Sequence, residues 1–105
     1  MIRAAACAVL ALAAGCGGGG AGPTAHPVEI RAFRFAPDTL VAAPGDTVVW
    51  TNADVVPHTA TAAEGGWDTG QIGANASGRI VAGEAGTYPY VCAYHPTMRG
   101  TLIVR

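Results

Sequence analysis

The sequence has no lysine and little charge of either sign. Its 105 residues include 6 basic residues, all of them arginine, and 7 acidic ones, so charged residues make up only 12% of the chain. The formal net charge of −1 leaves no basic surface that could neutralise a run of phosphates. The composition therefore argues against nucleic acid as a partner, and the length, which suits one domain at most, excludes a two-domain enzyme.

The chain also lacks an apolar run that is long enough for a permanent membrane span. The longest one, Ala4 to Ala14, falls well short of the roughly 20 residues that a helical span needs. It follows the basic start Met1-Ile2-Arg3 and precedes small residues up to Gly15, which is the pattern of a secretory signal. We therefore predict a signal peptide over residues 1–15 and a folded domain outside the cytoplasm, either in the periplasm or at the cell surface.

A cysteine follows the predicted signal directly. The run from Leu12 to Cys16 resembles the lipobox of bacterial lipoproteins, although Ala13 stands where that box usually has leucine. This resemblance implies lipid attachment at Cys16 and anchoring to a membrane; ordinary cleavage near Ala13 is the alternative. The glycine-rich residues that follow cannot pack a core, so we predict a flexible tether over residues 16–27, with His26 solvated, and a single domain over residues 28–105.

Cysteine is scarce in the predicted domain. Cys7 leaves with the signal peptide and Cys16 is the predicted lipid site, so only Cys92 remains and no disulfide can form inside the domain. A lone thiol in an exported protein needs an explanation, because oxidising compartments pair or oxidise free thiols. Metal coordination is one explanation and burial as a small inert side chain is the other. Cys92 by itself leaves both open.

No stretch of the domain has a helical period long enough to indicate a helix. Short alternating or apolar runs are separated by turn sequences such as Pro44-Gly45-Asp46, which is typical of a two-sheet sandwich or a small barrel. The alternation reverses its phase near Ala32, which predicts a bulge or bend there. The segments predicted as strands are 28–32, 33–35, 39–42, 47–51, 58–62, 71–73, 79–82, 87–92 and 101–104.

Four side chains with metal-binding chemistry are predicted to meet at one pole. Cys92 ends a strand on its core-facing side, and His95 and Met98 follow it in a short loop at spacings of three residues. His58 begins another strand that can reach the same pole. Two imidazoles, one thiolate and a weak thioether are the ligands that suit a one-electron copper site.

Other interpretations exist for each of these residues. Taken alone, His58 and His95 can be solvated or capping histidines, and Met98 can be core filler. Tetrahedral zinc also accepts Cys and His ligands, but a methionine adds nothing for zinc and the usual paired ligand spacings are absent. The clustering of Cys92, His95 and Met98 in one loop favours copper.

Five segments carry a family resemblance: Phe33 to Pro37, Pro44 to Asn52, Pro57-His58-Thr59, Gly86-Thr87-Tyr88 and Cys92-x-x-His95-x-x-Met98. The resemblance covers nearly all of the domain, and as a set these segments resemble the cupredoxins, small blue copper proteins of the plastocyanin, pseudoazurin and amicyanin group. The spacing between His95 and Met98 resembles the short ligand loop of amicyanin, whereas Tyr94 departs from the proline that often precedes the second histidine.

The resemblance implies an all-β, Greek-key β-sandwich of about eight strands that holds one type 1 copper ion. His58, Cys92 and His95 would bind the copper in a plane, with Met98 axial. By the same resemblance, the second ring nitrogen of His58 would be hydrogen-bonded, and the Cys92 sulfur would accept a backbone hydrogen bond from the loop that begins at Asn52.

Four protein ligands leave no open position for a substrate, which favours an electron carrier over an enzyme. We therefore expect a monomer that exchanges single electrons with redox partner proteins. The loop position of His95 predicts that its ring edge meets solvent, so the expected electron exit comprises His95, Pro96, Val56 and Pro57. A copper-delivery protein that uses the same ligands is the alternative.

Overall fold

The fold is all-β, as predicted. It is seen in a computed structural model that describes residues 22–105, so the predicted signal peptide and Cys16 lie outside the described residues. Eight strands form two four-stranded sheets. They are β1 (Ala25–Arg31), β2 (Arg34–Ala36), β3 (Thr39–Ala42), β4 (Thr47–Asn52), β5 (Thr61–Ala62), β6 (Ser77–Val81), β7 (Gly86–Val91) and β8 (Arg99–Val104).

Strand order brings distant parts of the chain to the same end of the sandwich. One sheet has the order β2-β1-β4-β6 and the other β3-β8-β7-β5. β1 runs parallel to β4, and β3 runs parallel to β8, while the other pairs are antiparallel. The end at which β7 finishes at Val91 and β8 starts at Arg99 is called the Cys92 pole below.

Alternate side chains of the strands fill the space between the sheets. In β4, Val48 and Trp50 point inward and are fully buried, which is the period of two that a half-buried strand requires. The Trp50 indole packs edge-on against Tyr90 with ring centroids 5.5 Å apart, and its Nε1 donates to the Tyr90 hydroxyl at 3.3 Å. Burial raises the pKa of Tyr90 to about 12. This packing supports the Cys92 pole, because Tyr90 precedes Cys92 by two residues on the same face.

Two predicted strands are much shorter in the structure. The segment predicted as strand 58–62 keeps β5 and two isolated bridges, one from His58 to Ile72 and one from Thr61 to Asp68, and the segment 71–73 keeps only the bridge at Ile72. The side-chain amide of Asn52 also binds this region, because it donates to the carbonyls of Val56 and Ile72 at 2.8 and 3.0 Å. These bonds add to the backbone pair between His58 and Ile72 and hold the irregular chain at the pole.

The predicted bend near Ala32 is confirmed as a tight turn between β1 and β2. Ala32 and Phe33 have φ angles of 54° and 59°, so both lie in the left-handed region without being glycine. Arg31 and Arg34 pair across this turn. The turn reverses the alternation, so that Phe35 is buried in the core while Phe33 is exposed at the Cys92 pole.

The structure contradicts the prediction that His26 is solvated in the tether. β1 begins at Ala25, upstream of the predicted domain start, and His26 is half-buried with its Nε2 2.8 Å from Asp46 Oδ2. The Asp46 carboxylate also accepts from the backbone nitrogens of Thr24 and Ala43, each at 2.9 Å. The groups that bind Asp46 are either distant from it in sequence or part of the same turn. The composition around His26 therefore did not indicate that the strand extends this far.

The Asp46 carboxylate should make stability depend on pH in the acid range. Its hydrogen bond from Thr24, together with those from His26 and Ala43, lowers its pKa from 3.8 to about 2. A carboxyl whose pKa is lower in the folded state stabilises the fold above its unfolded pKa and loses this effect as the pH falls. Asp46 therefore contributes its full share of stability above about pH 4, and that share disappears as the pH falls towards 2.

We expect Asp46→Asn to lower the urea midpoint of unfolding at pH 7 and to flatten the loss of stability between about pH 4 and pH 2. The matched control is Glu84→Gln, which removes an exposed carboxylate and should change neither. Urea unfolding followed by tryptophan fluorescence across this pH range makes the test. An unchanged acid profile for Asp46→Asn would contradict the assignment.

Candidate metal centre

Three potential ligand atoms converge at the Cys92 pole. The Nδ1 atoms of His58 and His95 and the Sγ of Cys92 all lie within 4.8 Å of one another. The sulfur is 3.7 Å from the His58 nitrogen and 3.8 Å from the His95 nitrogen. His58 and Cys92 are fully buried. The predicted convergence of these three residues is therefore confirmed, and a set of one sulfur and two nitrogens suits copper or zinc rather than magnesium or calcium.

A compact loop after β7 positions His95 and Met98. The His95 backbone nitrogen donates to the Cys92 carbonyl at 3.2 Å, and the Met98 nitrogen donates to the His95 carbonyl at 2.8 Å. The Cys92 nitrogen donates in turn to the Met98 carbonyl at 3.2 Å, which closes the loop at its base. Met98 is buried, with 4% of its surface exposed. The loop therefore returns the chain to the pole directly beneath Cys92.

His58 is fixed by its backbone and by Asp54. Its backbone exchanges hydrogen bonds with Ile72, and its Nε2 lies 2.9 Å from Asp54 Oδ2. With Nε2–H donating to the carboxylate, Nδ1 presents its lone pair towards the Cys92 sulfur. The predicted contact to the second ring nitrogen is confirmed. The sequence reasoning did not identify Asp54 as the partner, although a carboxylate four residues before the histidine was the available signal.

The Asp54 carboxylate carries several hydrogen bonds at once. Burial raises its pKa, but hydrogen bonds from the backbone of Phe33 and Ala32 and from His58 outweigh that effect and leave the pKa below its usual value. The carboxylate therefore stays ionised at neutral pH. An ionised acceptor holds the His58 ring more strongly than a neutral one would.

The Cys92 sulfur accepts a backbone hydrogen bond, as the resemblance implied. The donor is the Thr59 nitrogen at 3.3 Å, and Thr59 directly follows His58 in the segment that leaves Asn52. The Thr59 hydroxyl in turn accepts from the Ala93 nitrogen at 2.8 Å. Two hydrogen bonds therefore join the segment of His58 and Thr59 to the segment of Cys92 and Ala93.

The outer surface of the pole is apolar and exposed. His95 is half-buried where His58 is fully buried, so His95 is the more exposed of the two histidines. Val55 is 91% exposed, and Phe33 and Tyr94 are 46% and 47% exposed. Of the predicted exit residues, Pro57 and Pro96 are exposed and Val56 is half-buried. Phe33 was not among the predicted site residues.

Comparison with known proteins agrees with this geometry. A family profile described as a cupredoxin-like domain matches residues 3–104. The chain belongs to the cupredoxin-like family.

This cupredoxin has curated relatives among the amicyanins. It is 33% identical to amicyanin of Paracoccus versutus over 87 residues, which cover 73% of this chain and 62% of that protein. It is 30% identical to amicyanin of Paracoccus denitrificans over 82 residues, which cover 73% of this chain and 63% of that protein. The matched part of the cupredoxin thus spans less than two thirds of the length of these two relatives.

Solved amicyanin structures share its fold. A Cu(I) methionine-to-alanine variant of amicyanin superimposes with a TM-score of 0.71 at 29% identity, covering 77% of this chain and 82% of that one. An oxidised proline-to-alanine variant of amicyanin gives a TM-score of 0.72 at 30% identity, with the same coverage. These similarities extend over both sheets rather than over the ligand loop alone.

Tyr94 attaches the ligand loop of this cupredoxin to a neighbouring segment of the chain. The Tyr94 hydroxyl donates to the side-chain oxygen of Gln71 at 2.8 Å. Gln71 precedes Ile72, whose backbone pairs with His58. The ligand loop is therefore joined to the segment that holds the other histidine, although proline is absent at position 94.

Proposed function

We propose that this cupredoxin carries single electrons by means of one type 1 copper ion. His58, Cys92 and His95 would hold the metal, and Met98 would add a weak thioether ligand. The observation that supports this proposal best is the placement of two imidazole nitrogens and one thiol sulfur within 4.8 Å of one another. Copper supplies the Cu(I)/Cu(II) couple when bound, and thiolate and imidazole ligands suit both oxidation states.

The chain itself keeps the donor atoms in place and excludes water. Asp54 orients the His58 ring and Thr59 donates to the Cys92 sulfur, so both fully buried donors are held by protein contacts. Ligands that are already fixed need little rearrangement when the charge of the site changes, which favours fast electron transfer. The half-buried His95 is the donor through which an electron would leave.

Redox cycling in the presence of a chelator tests this proposal. Purified protein is loaded with one equivalent of Cu(II), then reduced and reoxidised repeatedly beside a membrane-impermeant Cu(I) chelator. An electron carrier keeps its copper and recovers the same spectrum after each cycle. Transfer of copper to the chelator at the first reduction would instead support copper delivery and contradict the carrier proposal.

Met98 should tune the reduction potential more than it retains the metal. Met98→Gln replaces the thioether with an oxygen donor, which stabilises Cu(II), so we expect a lower potential while the coloured site survives. Met98→Leu keeps the apolar volume without a donor and is the packing control; we expect it to raise the potential. Voltammetry of the three proteins makes the comparison. Equal potentials in all three would mean that Met98 acts only in the core.

We further propose that Cys16 carries lipid and anchors the domain outside the cytoplasm. Among residues 22–105, no helix is long and apolar enough to cross a membrane. Two or more chains bind a bilayer stably where one chain is marginal. We expect the wild-type protein in the membrane fraction, and Cys16→Ala should be neither lipidated nor processed normally. Wild-type protein found mainly in the soluble extracytoplasmic fraction would contradict the anchor.

The apolar pole around His95 supports the proposed electron exit. His95, Pro96, Val56 and Pro57 lie with the exposed Val55 where two ligand segments meet, and electron-transfer encounters need only small surfaces. A redox partner that docks there would approach the half-buried imidazole directly. This surface indicates only that a redox partner carries a matching apolar patch.

A further inference from the structure

Phe33 contacts both imidazoles of the proposed site. Its ring centroid is 5.0 Å from that of His58 and 4.8 Å from that of His95, and both contacts are edge-on, with interplanar angles of 86° and 83°. The two imidazoles are 5.2 Å apart. Edge-to-face pairs at these separations are favourable beyond the area they bury. The Phe33 ring therefore contacts both histidine rings, although it supplies no ligand atom.

The turn that presents Phe33 is costly and is held by one carboxylate. Ala32 and Phe33 both occupy the left-handed region, where glycine or asparagine would be expected in a two-residue hairpin turn. The Ala32 nitrogen donates to Asp54 Oδ1 at 2.7 Å, and the Phe33 nitrogen donates to Asp54 Oδ2 at 2.9 Å. The same Oδ2 lies 2.9 Å from His58 Nε2. Asp54 thus fixes the turn and the buried imidazole together.

The backbones of both histidines are hydrogen-bonded, but their rings differ in how firmly they are held. His58 is fully buried, pairs with Ile72 through its backbone and is bonded to Asp54 through its ring. His95 lies in a loop, is half-buried and has Phe33 and His58 as its aromatic neighbours. The position of the His95 ring therefore depends more on its aromatic contacts than the position of the His58 ring does.

We propose that Phe33 is a positioning residue, which restrains the His95 imidazole in the geometry needed to bind the metal. Asp54 anchors it by stabilising the left-handed turn. This inference rests on the proposed function, since it takes His95 as a ligand. It assigns the turn between β1 and β2 to the site, although that turn supplies no ligand atom.

Ring dynamics in the metal-free protein test this role directly. In Phe33→Ala, we expect the order parameter of the His95 Cε1–H bond, from ¹³C relaxation, to fall while that of His58 is unchanged. Phe33→Tyr keeps the ring and should restore the wild-type value. Val55→Ala removes another exposed apolar side chain from the same pole and should have no effect. An unchanged His95 order parameter in folded Phe33→Ala would overturn the proposal, as would failure of Phe33→Tyr to restore it.

Copper release gives a second readout. We expect transfer of Cu(I) from Phe33→Ala to a chelator to be about fivefold faster than from the wild type, the size of effect that one aromatic edge contact supports. Phe33→Leu, which keeps apolar volume, serves if the alanine variant does not fold. A wild-type protein that binds no copper would defeat the proposed function, whereas the metal-free relaxation data would still decide whether Phe33 restrains His95.

Discussion

Cys92→Ser is expected to abolish the intense visible absorption of the Cu(II)-loaded protein completely. That absorption would arise from charge transfer between the thiolate and the metal, and a serine hydroxyl is a hard donor that stays protonated at neutral pH. The Thr59 nitrogen, now 3.3 Å from the sulfur, can still donate to the serine oxygen, so the loss of colour would report on the missing thiolate. Titration of the purified variant with Cu(II) under a spectrophotometer measures the effect.

Cys16→Ser is the matched control for this change. It makes the same chemical replacement at the other cysteine outside the predicted signal peptide, in a segment with no predicted metal ligand. Its visible spectrum should equal that of the wild type when both are prepared without lipid. Colour that survives in Cys92→Ser, or disappears equally in Cys16→Ser, would show that Cys92 is not the thiolate ligand.

Val56→Asp is expected to slow electron exchange with a redox partner by about tenfold or more, because a charge on a small apolar contact surface must be desolvated in each encounter. Val56 is half-buried beside Pro57 at the segment that leads to His58. Colour and potential should change little, since Val56 supplies no ligand atom. Stopped-flow mixing with a physiological or surrogate acceptor measures the rate.

Val81→Asp is the control at the opposite pole. Val81 is 66% exposed and pairs with Thr47 at the start of β4, whereas β4 ends at Asn52 beside the site. The same substitution there adds the same charge to the whole protein without touching the exit surface. Equal slowing by both variants, or none by Val56→Asp, would contradict the exit through His95. With few charges on the chain, the wild-type rate should depend only modestly on salt.

Much of the fold was predictable because the strands alternate between buried and exposed residues. β4 and β7 show this most clearly, with Trp50 and Tyr90 on the inner faces. The prediction was wrong where tertiary hydrogen bonds decide the structure. His26 pairs with Asp46 at the start of β1, and the segments around His58 and Ile72 keep one backbone bridge, to which the side chain of Asn52 adds two hydrogen bonds.

The donor residues of the site were predictable because their chemistry is rare in this chain. Cys92 and Met98 are single occurrences in the predicted domain, and their spacing from His95 is short enough to guarantee proximity. The supporting residues were harder to find. Asp54 and Phe33 are ordinary residue types, and they reach the site only because the left-handed turn after β1 meets the segment after β4.

The visible spectrum of the Cu(II)-loaded protein, before and after reduction, tests the central claim most directly. If His58, Cys92 and His95 bind one type 1 copper ion, one equivalent of Cu(II) should give an intense blue absorption, which disappears on reduction with ascorbate and returns on reoxidation. A colourless Cu(II) complex, or no Cu(II) binding by the folded protein, would contradict a blue copper electron carrier.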